Sequence, residues 1–188
     1  MIDENAFGIL LSWFCIEDDE YGRERSDFVQ RVQEFRTLVR RAVTEIPLGT
    51  GLRVLDLGHA VYVEVGDGDQ ARSPIAWAKE ARALLVEQGF DVFSVVTHGG
   101  RWTDDTESAS SVEHLGDAAL VTASLPSEPL RRALHAEAAS HASDEDAEDG
   151  WGPGLYLDVE AVEALAIKLR NAPTSLRTGG AEFYRIGA

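Results

Sequence analysis

The sequence predicts an α+β fold: a ferredoxin-like βαββαβ core followed by a C-terminal α/β extension. Three observations predict it. An almost unbroken apolar run opens the chain. Two helical segments with one apolar face each then enclose a pair of strand-like runs. A β-branched run closes the first hundred residues. With 188 residues, 44% hydrophobic and 27% charged, the composition is that of a globular chain able to bury a core.

The elements follow in order. From Ala6 to Ile16 the chain reads Phe7, Ile9, Leu10, Leu11, Trp13, Phe14, Cys15 and Ile16 with few polar interruptions, the pattern of a central strand buried on both faces. A charged loop, Glu17-Asp18-Asp19-Glu20, ends it. Ser26 is placed to cap a helix. Phe28, Val32, Phe35, Val39, Val43 and Ile46 recur at spacings of three and four and give that helix one apolar face, before Pro47 and Gly49 stop it. Val54 to Leu57 and Ala60 to Val65 flank Gly58-His59 as a β-hairpin. Ser73-Pro74 starts a second helix, with Trp77, Ala81, Leu84 and Leu85 on its buried side, and Gly89 terminates it. Asp91 to Thr97 is the next strand, and His98-Gly99-Gly100-Arg101-Trp102 reads as the loop after it.

The extension is expected to pack on this core within one domain, residues 1–102 forming the core and 103–188 the addition. Thr103 to Gly116 is polar and reads as one short helix. Ala118 to Ala123 reads as a strand, and Ser127 to His141 as a helix. The acidic run from Ser143 to Gly150 is a loop. Leu155 to Leu157 is extended. Asp158 caps a last helix with Val159, Val162, Leu165, Ala166 and Leu169 on its core side, and Ala181 to Ile186 is the closing strand.

Thirty-three acidic and 17 basic side chains give a formal net charge of -16. That field repels phosphate backbones, and the arginines at 36, 40, 41, 131 and 132 are flanked by carboxylates, so no nucleic-acid role is expected. The acidic surface suits a protein partner, in particular a basic one. One cysteine, Cys15, excludes an internal disulfide. The first residues, Met1 to Asn5, lack a basic segment followed by an apolar one, and no run is long enough to span a bilayer. A cytoplasmic protein with no membrane contact is the expectation.

The candidate ligand or partner loop is His98, Gly99, Gly100, Arg101 and Trp102. Two glycines allow close backbone approach, His98 exchanges protons near neutral pH, Arg101 forks onto a carboxylate or phosphate, and Trp102 stacks or anchors. His59, at the hairpin tip, is the further candidate. Asp18 and Asp19 are the metal candidates, because a divalent cation takes oxygen ligands at a strand end. No resident cofactor is otherwise expected. His114, His135 and His141 lack metal-ligand spacing, and no phosphate-binding loop, dinucleotide fingerprint or nucleophile elbow is present.

The order of elements resembles the catalytic domain of the class III nucleotide cyclases. That family has an apolar first strand carrying a metal-binding aspartate, a long helix, and a hairpin with Gly-Asp at its tip. A helix and a strand ending in a His-x-Gly-like segment follow. Here Ile9 to Ile16 matches the first strand, Leu55 to Val65 the hairpin, and Trp77 to Leu85 with Val92 to Gly100 the next helix and strand. Glu182-Phe183-Tyr184-Arg185-Ile186 matches the terminal strand. His59 stands where the family's hairpin aspartate follows the glycine, and Trp13-Phe14-Cys15-Ile16 stand where the first aspartate is expected. Asp18 and Asp19 follow that point, and the family's Asn-x-x-x-Arg pair is not found between Asp104 and Gly116. Two metals clamp the reacting oxygens in that chemistry, so the resemblance implies a degenerate, non-catalytic domain that binds a protein partner or a small ligand and pairs as a homodimer. Two other readings are open. One is a divergent metal-dependent enzyme in which Asp18, Asp19, His59, His98 and Arg101 converge on a nucleotide or phosphorylated substrate. The other is an acidic immunity or inhibitor protein for a basic partner.

Overall fold

The computed structural model describes residues 5–13, 25–100, 127–142, 151–167 and 175–186. Strand β1 (Asn5–Trp13) leads to helix α1 (Arg25–Glu45), strands β2 (Arg53–Asp56) and β3 (Ala60–Gly66), helix α2 (Pro74–Glu87) and strand β4 (Val92–Gly100). Helix α3 (Glu128–Ala142), strand β5 (Gly154–Asp158), helix α4 (Val159–Ala164) and strands β6 (Ser175–Thr178) and β7 (Ala181–Ile186) follow. The seven strands form one sheet in the order β2-β3-β1-β4-β5-β7-β6.

β1 lies centrally and pairs antiparallel with β3 and β4, and β2 pairs antiparallel with β3. These four strands with α1 and α2 make the ferredoxin-like unit. The extension continues the same sheet: β5 joins β4 in parallel, and the β6–β7 hairpin joins β5 through β7.

Alternate residues of a strand point to opposite faces, so β1 feeds two cores. Phe7, Ile9, Leu11 and Trp13 pack with Phe35, Val39, Ala42 and Ile46 of α1 and Trp77, Ala78, Ala81 and Leu85 of α2. Trp77 is fully buried, and its Nε1–H donates to the Ile46 carbonyl at 2.9 Å, which fastens α2 to the end of α1. The second face, with Leu10, Tyr62, Phe93, Val95, Tyr156 and Phe183, is covered by Leu130, Ala133, Leu134 and Ala136 of α3. Gly8 is required there: a Cβ would run into the Tyr62 ring.

Several expectations are corrected. β4 continues through His98, Gly99 and Gly100, because the start of β1 supplies partners for all three (Phe7, Ala6 and Asn5). That segment is therefore strand, not loop. The last helix is short. It stops at Ala164, with Leu165 closing it and Ala166 at φ 48°, and Ala161 is its buried residue. Strand β6 was not anticipated, although Gly179-Gly180 between Thr178 and Ala181 is a two-residue hairpin signal. Phe14 to Ile16 and the elements expected between Thr103 and Ala123 lie outside the described residues.

Gly8→Ala should lower the unfolding free energy by about 1–3 kcal/mol, the usual result of forcing volume into a packed core. Urea denaturation at unchanged m-value checks it.

Candidate functional site

The α3-facing side of the sheet carries polar side chains in an otherwise apolar interior. Ser12 of β1, Glu64 of β3, Thr97 of β4 and Asp158 of β5 are all buried there. A buried polar group needs a partner, and α3 with its cap supplies one to each.

At the hairpin end, Trp13 N–H donates to the His59 carbonyl at 2.9 Å, which holds the tip beside the end of β1. Gly58 makes the turn at φ 87°, and its N–H donates to Asp56 Oδ1 at 3.0 Å. Glu137 of α3 reaches down to this junction. Ser12 Oγ donates to Glu137 Oε1 at 2.6 Å, and His59 Nε2 lies 2.8 Å from the same oxygen. The Glu137 side chain is 8% exposed and that of His59 43%. The bond to Glu137 raises the His59 pKa above its usual 6.5 and favours the imidazolium, against a smaller opposing effect of burial. The histidine and Ser12 share this one carboxylate oxygen.

At the opposite end, Glu64 Oε2 accepts from Tyr62 Oη at 2.9 Å and from Ser127 Oγ at 2.8 Å. Burial, with the adjacent carboxylate, pushes the Tyr62 hydroxyl well up. Ser127 Oγ also accepts from Leu130 N–H at 3.4 Å and so caps α3. Thr97 Oγ1 donates to the Pro129 carbonyl at 2.8 Å. Asp158 Oδ2 accepts from Arg132 Nε at 2.8 Å and from His98 N–H at 3.3 Å, while Oδ1 accepts from Ala161 N–H at 2.7 Å. Burial lifts the Asp158 pKa to about 6, the Arg132 guanidinium opposing. His98 turns to the other face, 4.6 Å from the Phe7 ring centroid, with Nε2 3.0 Å from Asp67 Oδ2.

The sequence candidates thus divide. His98 pairs with Phe7, whereas His59 sits beside Trp13, six residues along β1. At about 3.4 Å per residue that is roughly 20 Å. His59 and His98 do not converge, which overturns the arrangement required by the divergent-enzyme reading. Gly99 stays at the His98 end, close to Arg132 and Glu128. Arg101, Trp102, Asp18 and Asp19 lie outside the described residues. Sequence reading missed Ser12, Glu64, Glu137 and Arg132. The available signal was an isolated polar residue inside each of two apolar strands, Ser12 in β1 and Glu64 in β3.

No family model matches the chain, and no curated protein matches it in sequence. Its structure is similar to the crystal structure of the adenylyl cyclase CyaB from P. aeruginosa, with a TM-score of 0.57 over 98% of this chain and 94% of that one, at 11% identity. The fold is cyclase-like. Among the described residues no helix is long and apolar enough to cross a membrane.

Two outcomes follow from the geometry. A raised histidine pKa contributes stability that is present below about pH 6.5 and fades as pH rises through the folded value. His59→Gln should therefore flatten the loss of stability from slightly acid to slightly alkaline pH, read by denaturant melts across that range. Arg132→Met leaves Asp158 buried without its cation and should destabilise by about 3 kcal/mol at neutral pH. That penalty should shrink as pH falls toward about 6, because without the opposing guanidinium Asp158 takes up its proton above that value.

Proposed function

We propose that this chain is a degenerate class III cyclase-like domain that has lost catalysis and acts by binding. The observation that carries the reading is Glu137 Oε1 held between Ser12 Oγ and His59 Nε2 where β1 meets the hairpin tip. The family's chemistry needs two carboxylates there to hold two divalent cations. Magnesium and its substitutes take oxygen ligands in near-octahedral array. Among the described residues, the groups that meet at Glu137 Oε1 are the Ser12 hydroxyl and an imidazole biased toward its cationic form, so that oxygen already takes two bonds. An imidazolium repels a divalent metal, so these described donors do not fit the pair of ions and no step is routed through them.

Intact packing on both faces of the sheet supports a domain kept for its shape rather than its chemistry. Net charge -16 supports a basic protein partner. Pairing with a second copy, which the resemblance to the class III cyclases implies, is a further form of that binding.

Purified protein with manganese and ATP or GTP should yield no cyclic nucleotide, and millimolar Mn-nucleotide should leave its melting temperature unchanged, since only a ligand of the folded state raises it. Metal-dependent formation of a cyclic nucleotide would overturn the reading.

A further inference from the structure

Strand β2 ends the sheet on one side, and no strand pairs beyond it among the described residues. Leu57 N–H donates to the Ala60 carbonyl at 2.8 Å. By the alternation of an antiparallel ladder, Leu55 and Arg53 also turn their backbone groups to β3, and Val54 and Asp56 turn theirs outward. Val54 is 47% exposed. The side chains of this edge divide as well, Val54 and Asp56 to the α1 side and Arg53, Leu55 and Leu57 to the α3 side. Asp56 offers too few acceptors for the cations around it. Its Oδ1 takes the Gly58 N–H, and its Oδ2 meets Nε and Nη2 of Arg36 and Nη2 of Arg40. Three N–H groups converge on an oxygen with two lone pairs, and two guanidiniums share one negative charge. Arg40 is 66% exposed. At the other edge of the sheet the charges balance, Arg177 of β6 pairing with Glu182 of β7.

We propose that the open edge of β2 takes up an extended segment of a protein partner in which acidic and aliphatic residues alternate. The outward N–H and C=O groups of Val54 and Asp56 supply backbone hydrogen bonds to an added strand, and the side chains on its two faces supply selection. On the α1 side the added strand runs past Arg36 and Arg40, where an acidic side chain brings the acceptors that Asp56 alone does not provide. On the α3 side it runs beside Leu55 and Leu57, where an aliphatic side chain extends the apolar face. Charge decides against a second copy as the occupant. A two-fold axis at this edge would bring Arg36 and Arg40 of both copies together, and the remainder of two chains of net charge -16 would repel as well. The edge is opposite in sign to the chain as a whole, so it selects a different partner from the one the acidic surface suits. It serves the binding role of the proposed function, and its geometry is the same whether or not catalysis is lost at the hairpin junction.

The test is an amide NMR titration of the full chain with the end-blocked peptide Glu-Val-Glu-Val-Glu, and separately with Lys-Val-Lys-Val-Lys, in about 0.15 M salt. The acidic peptide should give saturable shifts at Val54 and Asp56 at millimolar concentration, and the basic one should not. Arg40→Gln, at an exposed position, should keep the spectrum of the folded protein and weaken the acidic peptide about tenfold, the worth of one charge-assisted hydrogen bond. Val54→Pro removes an N–H that faces away from β3, a place where an edge strand accepts proline, and should abolish binding. Absence of a saturable shift at the edge would overturn the proposal, as would equal binding of the basic peptide, or unchanged affinity in either variant. Concentration-dependent shifts at Val54 and Asp56 without peptide would overturn it too, by assigning the edge to a second copy. None of these outcomes bears on cyclic-nucleotide formation.

Discussion

The pairing of β1 with a strand on each side constrains everything else in this molecule. From Ala6 to Trp13 every residue of β1 is buried, and the register to β3 and β4 is fixed over nearly its whole length. A strand so enclosed sends alternate side chains into two different cores, and a slip of one residue would exchange them. The odd positions meet large apolar side chains of α1 and α2. The even ones, Gly8, Leu10 and Ser12, meet a face where polar groups alternate with aromatic ones. The same register carries the hairpin tip to one end of the sheet and the end of β4 to the other, which separates His59 from His98.

Helix α3 answers the polar residues of that second face. Its apolar contribution is modest, two leucines and two alanines in the main contact. Its specificity comes from polar contacts spread along its length, Ser127 to Glu64, the Pro129 carbonyl to Thr97, Arg132 to Asp158 and Glu137 to Ser12 and His59. Contacts of this kind add little net stability individually, but leaving any one unmade in a buried place is expensive. They therefore fix where the helix lies more than how strongly it is held. Among the described residues, the buried atoms left without a partner, Glu64 Oε1 and Arg132 Nη2, both lie toward the Ser127 end of the helix.

The hairpin junction is set by the backbone. A cyclase-like arrangement brings the end of β1 against the β2–β3 tip by backbone pairing alone, whatever the side chains are. With Ser12 and His59 at that junction, Glu137 of α3 accepts from the serine and lies against the imidazole. The buried Ser12 hydroxyl thereby gains the partner its position demands.

The sequence by itself determined the strand and helix order through α2, the two-faced burial of β1, the glycine-tipped hairpin and the capping role of Asp158. Each of these rests on local periodicity or on a residue's own backbone preference. It also determined the acidic charge and the absence of an aspartate after Gly58. Only the tertiary structure decided that His98 to Gly100 is strand, because the partner that makes it so begins at Asn5. Only the structure joined Ser12 to Glu137, 125 residues apart, and Arg132 to Asp158. A lone serine in an apolar run or a lone arginine on a helix has no periodicity that names its partner. That information lies in sheet register and in the path of the chain from β4 over the sheet to β5, which places α3 where four buried polar groups await it.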